Sequence, residues 1–156
     1  MKLIQDNNKF SVIDLIREDK YKYVPYTRND NDGPRTYNVE GKKIPSVTTI
    51  NSAMQSPEKR KALDAWRERV GYQEAQAVTT KAASRGTEMH YVLEQYINGK
   101  GYLNFSDMGE QARMMAHEII KNLELLKTVY GNEVNLAYKD RWAGSTDLVG
   151  LYDDKP

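Results

Sequence analysis

Apolar residues recur at helical spacing through the middle of the chain, and this pattern predicts a block of helices. Ser56-Pro57-Glu58 carries the signals of a helix start, since serine can cap the first turn and proline is tolerated within it. We expect a second helix between Gly71 and Gly86, because each glycine should interrupt or bend the chain. The apolar stripe of the first helix comprises Leu63, Trp66 and Val70.

A third helix is expected after Gly86. It should end at about Asn98, where the run Asn-Gly-Lys-Gly favours a helix terminus. A fourth helix is expected to begin at residues 107–110, which resemble a capping box, and to continue to about Tyr130. Its apolar positions include Met114, Ile119, Leu123 and Leu126.

Strand-like patterns occur on both sides of these helices. The run RTYNVEGKKIPSVTTI predicts a hairpin around Glu40-Gly41-Lys42, with Pro45 at an edge or an early end of the second arm. The run TRNDNDGPRT predicts a loop. Alternating residues predict antiparallel strands over 133–138 and 142–152. The expected fold mixes helices and strands (α/β), and because these are segregated along the chain its class is α+β. It consists of an N-terminal hairpin and a helical block, followed by the start of a mixed sheet that is incomplete at the C-terminus.

Length and composition narrow the class of protein. The 156 residues suit a single domain over 1–156, within which residues 1–40 form an extension whose structure the pattern leaves open. No apolar run approaches the roughly 18 residues that span a bilayer, and the start MKLIQDNNKF lacks a signal-peptide core. We therefore expect a cytoplasmic protein with no membrane partner.

The absence of cysteine excludes disulfides, thiolate zinc sites, cysteine nucleophiles and iron–sulfur clusters. Any metal must be held by carboxylates, the two histidines, carbonyls or water, and this donor set suits Mg²⁺ or Mn²⁺ better than Zn²⁺. The net charge of +1 gives no global signal for nucleic acid, although a local basic face is compatible with that total.

Two acidic positions and one histidine are the candidates for chemistry. His90 and Glu94 are four residues apart and share a helix face. Asp147 lies among apolar residues of a predicted strand, where a carboxylate is costly unless it is paired or binds a cation. The alternatives are a solvated histidine on an amphipathic helix and an aspartate at the solvent boundary of a strand. A histidine and carboxylates that converge from a helix and a strand would form a hard-metal site.

The runs RGTEMHYVLEQY and WAGSTDLVGLY resemble the PD-(D/E)xK nuclease superfamily. The resemblance is to its RecB-like branch, and within that to phage exonucleases similar to the mitochondrial genome maintenance exonuclease. The runs IPSVTTI and LDAWRERVGYQEAQAVTTKAASRGTEMH follow the order of the same group: a Ser-Val-Thr segment, a Trp–Gly helix pair and a Gly-Thr-x-x-His helix. The resemblance covers roughly Ile44 to the C-terminus and implies a restriction-endonuclease-like sheet.

The resemblance implies roles for particular residues. His90 and Asp147 match the catalytic metal-binding positions, while Glu94 and Glu133 stand where the family often has accessory acids. Ser46 and Thr48 match a segment that approaches the nucleic-acid backbone; the alternative is ordinary strand hydroxyls. Four cationic residues of the helical block would line a phosphate track: Arg85, Lys81, Arg67 and Arg69. The alternative, which explains these charges at least as well, is a helix face exposed to solvent. The two tryptophans are assigned to packing.

The chain departs from the family after Asp147. A D/E-x-K motif belongs on the next strand, where its acid is a second metal ligand and its lysine stabilises charge. Asp153-Asp154-Lys155 matches the letters, but it lies six residues after Asp147, at the expected turn. We therefore expect a domain truncated at its C-terminus, whose missing strand is lost or is supplied by a second chain of a split gene.

The implied function is a Mg²⁺- or Mn²⁺-dependent exodeoxyribonuclease of phage DNA processing or recombination, in the cytoplasm of an infected host. It would act on single-stranded DNA or duplex ends, and this chain alone would be inactive or incomplete. The alternative is a non-catalytic nucleic-acid-binding module. A weaker third interpretation is a helical structural or adaptor protein, which predicts no metal binding.

Overall fold

A computed structural model of the protein describes residues 15–31, 33–153 and 155. Residues 1–14 of the predicted extension and Asp154 of the Asp-Asp-Lys run lie outside this range. The elements follow in the order β1 (Ile16–Arg17), β2 (Thr27–Asn29), β3 (Thr36–Val39), β4 (Lys42–Pro45), α1 (Val47–Ala53), α2 (Pro57–Val70), α3 (Tyr72–Ile97), α4 (Asp107–Ile120), β5 (Leu126–Tyr138) and β6 (Trp142–Tyr152). The fold is α+β, as predicted.

The chain forms two compact units. The first combines Val78–Asn132 with the described residues up to Tyr21 and from Asp147 onward. The second combines Lys22–Ala77 with Glu133–Thr146. Among the described residues, no helix has the length and apolar character needed to cross a bilayer.

In the second unit, β2, β3 and β4 form an antiparallel sheet in that order. Glu40 and Gly41 form its tight turn with φ of 51° and 81°, as a two-residue hairpin loop requires. The predicted hairpin is confirmed, and β4 ends at Pro45 as an edge strand. The second arm also ends early, as the prediction for Pro45 allowed: residues 46–50 of the run are not strand, because Ser46 caps the start of α1 and turns the chain into a helix.

The start of α2 is as predicted. Ser56 caps the helix by accepting from the Lys59 backbone N–H at 3.3 Å, and Gly71 ends it with φ of 90°. The predicted apolar stripe, however, is not buried: no residue of α2 is buried in the described structure, and Leu63 is 37% exposed. The predicted loop TRNDNDGPRT also needs correction at its start, where Thr27–Asn29 pairs with β3.

The predicted break at Gly86 is wrong, since α3 is one continuous helix through this residue. A lone glycine in a helix costs only about 1 kcal/mol relative to alanine, and burial of Val92 and Ile97 on the same helix outweighs that cost. The helix ends as predicted. Gly99 has φ of 64°, and the Lys100 N–H reaches back to the Gln95 carbonyl, which is a Schellman-type terminus.

The fourth helix begins at Asp107, within the predicted start, but ends ten residues sooner than predicted. Ser106, and not Asp107, is its N-cap, and the helix ends at Ile120. Leu126 and Val129 lie in β5, where both are buried against Ile97. Apolar residues in this stretch fit helical spacing, but their burial comes from the sheet.

The first sheet has the order β1-β5-β6 and is mixed. Ile16 pairs with Thr128 in parallel, while β5 and β6 are neighbours joined by a short turn at which the Arg141 N–H bonds the Tyr138 carbonyl. The strand predicted over 142–152 is confirmed as β6. The strand predicted over 133–138 is the second half of the longer β5. A second cluster of the first unit packs α3 against α4 through Val92, Tyr102 and Ala116.

Candidate metal centre

His90 lies on the second half of α3, within the first unit. Val92, Gln95 and Ile97 are the buried residues around it on this part of the helix, and they anchor α3 to the core. The His90 side chain itself is 47% exposed. The helix therefore supplies a fixed backbone from which the imidazole reaches the surface.

Asp147 begins the first-unit half of β6, and its side chain is 68% exposed. The next residue, Leu148, packs against the buried cluster of Ile97, Leu126 and Val129. Because side chains alternate across a strand, the contact of Leu148 turns Asp147 to the opposite face. Of the two interpretations of Asp147, the structure favours an aspartate at the solvent boundary over a carboxylate buried in a core, so no burial cost has to be offset by a cation.

The structure brings His90 and Asp147 together, with 3.1 Å between imidazole Nδ1 and carboxylate Oδ1. This is a hydrogen-bond distance, so the carboxylate orients the imidazole. It is also the distance at which two ligand atoms share one small cation: metal–ligand bonds of about 2.1 Å at a right angle place the atoms about 3 Å apart. The nitrogen and oxygen donors of this pair fit a hard or borderline divalent ion.

Close to this pair, a side-chain hydrogen bond joins β5 to α3. The Asn132 side-chain amide donates to the backbone carbonyl of Glu94, one helical turn after His90, at 3.4 Å. Asn132 is in β5, beside the strand that carries Asp147. No short-range sequence pattern signals this contact, because the two residues are 38 positions apart.

The two candidate accessory acids are placed differently. Glu94 follows His90 by one turn on α3 and is half-buried. Glu133 is exposed, begins the second of the two segments that form the second unit, and has a left-handed backbone, with φ of 52°. Ligation by either residue stays a prediction.

The residues predicted to bind nucleic acid fall into two groups. Ser46 and Thr48 belong to the second unit, and their hydroxyl oxygens bond each other at 2.8 Å. Ser46 is 2% exposed and also accepts from the Thr49 N–H, which explains it as a helix cap rather than a strand hydroxyl. Lys81 is exposed on α3, and Arg85 donates to the Gln111 side chain at 3.4 Å.

Glu88, two residues before His90, fixes the loop that follows α3. Its Oε1 accepts from the Tyr102 hydroxyl at 2.6 Å and from the Asn104 amide at 2.7 Å. These hydrogen bonds lower the pKa of Glu88. Burial, with the bond to Glu88, raises the pKa of Tyr102 to about 12. The network is structural, since it holds the helix that presents His90 against the loop.

Asp153 lies at a turn after β6, as predicted. It has φ of 52°, its N–H donates to the Leu125 carbonyl, and its carboxylate pairs with Lys155 at 3.4 Å. The Asp147 pairing with His90 does not involve it.

Comparisons of the chain with models of protein families, with curated proteins and with solved structures find no significant match. The nuclease resemblance therefore stays a prediction.

Proposed function

We propose that the protein is a divalent-metal-dependent nuclease that hydrolyses DNA phosphodiester bonds, with His90 and Asp147 as ligands of Mg²⁺ or Mn²⁺. The observation that carries this proposal is the 3.1 Å separation of Nδ1 and Oδ1. Residues 57 positions apart in sequence supply one nitrogen and one oxygen donor at the spacing of two neighbouring ligands.

When bound, a divalent ion at this pair would supply charge stabilisation for a phosphoryl group and activation of water. The chain's own residues provide the remaining functions. In the metal-free protein Asp147 orients the imidazole of His90 through their hydrogen bond, and α3 fixes the position of the ring; a metal at Nδ1 and Oδ1 would take the place of that bond. The exposure of both side chains leaves the pair accessible to a polymer such as DNA.

The metal-binding part of the proposal is tested with the protein alone by calorimetric titration with Mn²⁺, since a histidine ligand suits Mn²⁺ better than Mg²⁺. We expect wild-type protein to bind Mn²⁺ and the variants His90→Ala and Asp147→Asn to bind at least tenfold more weakly. Asp153→Asn is the matched control, because Asp153 is also an exposed aspartate next to β6. Equal binding by Asp147→Asn and wild type would refute the assignment.

The catalytic part is tested with end-labelled single-stranded DNA and a chain that also carries a D/E-x-K strand, because the resemblance assigns a further ligand acid to that strand. We expect nucleotide release that needs Mn²⁺ and is abolished by Asp147→Asn while the circular dichroism spectrum is unchanged. Cleavage that persists in Asp147→Asn would exclude Asp147 from the reaction. DNA binding without cleavage or Mn²⁺ binding would instead favour a non-catalytic binding module.

A further inference from the structure

The second unit contains a cavity of about 310 Å³ that the predicted metal site does not use. Its wall comes from β2, β3 and the first residues of β6, and the bridge between Ser46 and Ala143 joins the start of α1 to β6 beside it. Ligand-binding pockets measure about 300–1,000 Å³, so this cavity is sized for one small molecule or one monomer of a chain.

Two arginines on one side of the cavity give it a positive charge. Arg28 and Arg35 both line it, and the Nε atom of each pairs with a carboxylate oxygen of Asp30, at 2.7 Å and 2.6 Å. Each pair uses one of the five N–H donors of a guanidinium group. Two cations and one anion leave a local charge of +1, and Asp30 holds both guanidinium groups in place for an anion.

An aromatic residue contributes a different kind of wall. Trp142 lines the same cavity, is 36% exposed, and stacks on Tyr138 with ring centroids 5.7 Å apart at an interplanar angle of 25°. This stacking restrains the indole ring, so a second planar group would lose less entropy on binding there. Val47 and Leu136 extend the apolar part of the wall.

The hydroxyl groups of the wall are largely engaged within the protein. Ser46 and Thr48 bond each other, and the Ser145 hydroxyl lies 3.5 Å from the Val134 carbonyl that accepts from it. The guanidinium groups are therefore the principal donors toward a ligand, and the indole is the principal planar surface. This combination of an anion site and an aromatic surface matches a phosphate linked to a planar base.

We propose that this cavity binds one nucleotide, with its phosphate at Arg28 and Arg35 and its base against Trp142. The choice of a nucleotide among planar anions rests on the proposed function. The same chemistry is offered by a residue within a DNA strand and by a free nucleoside monophosphate.

The test uses the fluorescence of Trp142. The chain has two tryptophans, so the substitution Trp66→Phe leaves Trp142 as the one indole that fluoresces. The ligands are (dT)10, thymidine monophosphate, thymidine and inorganic phosphate, all in EDTA so that no metal-dependent cleavage occurs. We expect saturable quenching by (dT)10 or by thymidine monophosphate, and weaker binding of thymidine and phosphate. Tighter binding of (dT)10 identifies a strand as the ligand; equal binding identifies the free nucleotide.

Variants assign the binding to the cavity. Arg35→Gln should weaken (dT)10 binding and reduce the slope of log affinity against log salt by about 0.7, the value for one phosphate contact of a single strand. If Arg35→Gln fails to fold, Arg35→Lys replaces it, because lysine keeps the positive charge. Arg141→Gln is the control, since Arg141 does not line the cavity. Trp142→Leu, followed by anisotropy of labelled (dT)10, should weaken binding about tenfold, whereas Trp142→Phe should retain it.

Three results would overturn the inference: no quenching by either nucleotide ligand, an unchanged salt slope in Arg35→Gln, or full affinity in Trp142→Leu. Its failure is distinguishable from failure of the nuclease proposal. Normal nucleotide binding by the wild-type protein, together with no Mn²⁺ binding by that protein, would support the cavity and refute the metal centre. The reverse pattern would refute the cavity alone.

Discussion

Substitution of glycine by alanine should have opposite effects on the free energy of unfolding at two helical positions. Gly86 lies within α3, and a Cβ added there would meet no atom within 4 Å. Gly109 lies in the first turn of α4 and is buried, and a Cβ there would lie 2.5 Å from Cγ and 2.6 Å from the carbonyl oxygen of Asn104. Distances below 3.0 Å require Asn104 to move.

The magnitudes follow from the local contacts. Gly86→Ala should raise the free energy of unfolding by about 0.5–1 kcal/mol, because alanine restricts the unfolded chain and favours a helix. Gly109→Ala has the same gain, but overpacking costs about 1–3 kcal/mol. Displaced Asn104 also loses hydrogen bonds to Glu88 and Ser106, each worth about 1 kcal/mol. The net loss should be about 2–4 kcal/mol.

Urea unfolding followed by circular dichroism, with Tm from calorimetry, measures both variants. For a chain of this size, 1 kcal/mol changes Tm by about 2–4 °C, so Gly86→Ala should raise Tm by about 2 °C and Gly109→Ala should lower it by about 5 °C or more. A destabilised Gly86→Ala variant would contradict a continuous α3. A Gly109→Ala variant as stable as wild type would contradict the packing of Asn104 on α4.

Three further predictions concern stability and pH. The pKa of Glu88 is depressed in the folded protein, so its ionised carboxylate contributes to the free energy of unfolding above the unfolded pKa of 4.5. That contribution is lost as the pH falls through the folded pKa, and the acid dependence of unfolding in wild type and in Glu88→Gln checks this. The pKa of Tyr102 is raised from 10.0 to about 12, so stability should fall between those pH values, and Tyr102→Phe should remove that part of the alkaline loss in unfolding experiments. Ser46→Ala should cost about 1 kcal/mol through loss of the α1 cap without changing Mn²⁺ affinity; an unchanged free energy of unfolding would contradict the cap.

Local signals in the sequence located several helix and strand boundaries. The serine before Pro57 and the glycines at positions 71 and 99 act through the backbone conformation of a few neighbouring residues, so they can be recognised without tertiary structure. The Glu40-Gly41 turn is of the same kind.

The errors arose where long-range packing decides. Gly86 is a weak helix breaker whose effect is outweighed by burial elsewhere on α3, and Leu126 is buried by a sheet that helical periodicity cannot reveal. The pairing of His90 with Asp147 was expected from the resemblance, not from spacing. The cavity lined by Arg28, Arg35 and Trp142 was missed, since its wall combines segments more than 100 residues apart.

The most direct test of the metal centre is a proton NMR titration of the two histidine rings with substoichiometric Mn²⁺. Paramagnetic broadening depends steeply on distance, so His117, which lies on α4, is an internal control for His90. If His90 and Asp147 bind the metal, the His90 signals broaden at the lowest Mn²⁺ concentration, before those of His117, and Asp147→Asn removes this preference. Equal broadening of both rings, or selective broadening of His90 that survives Asp147→Asn, would contradict a metal site built by His90 and Asp147.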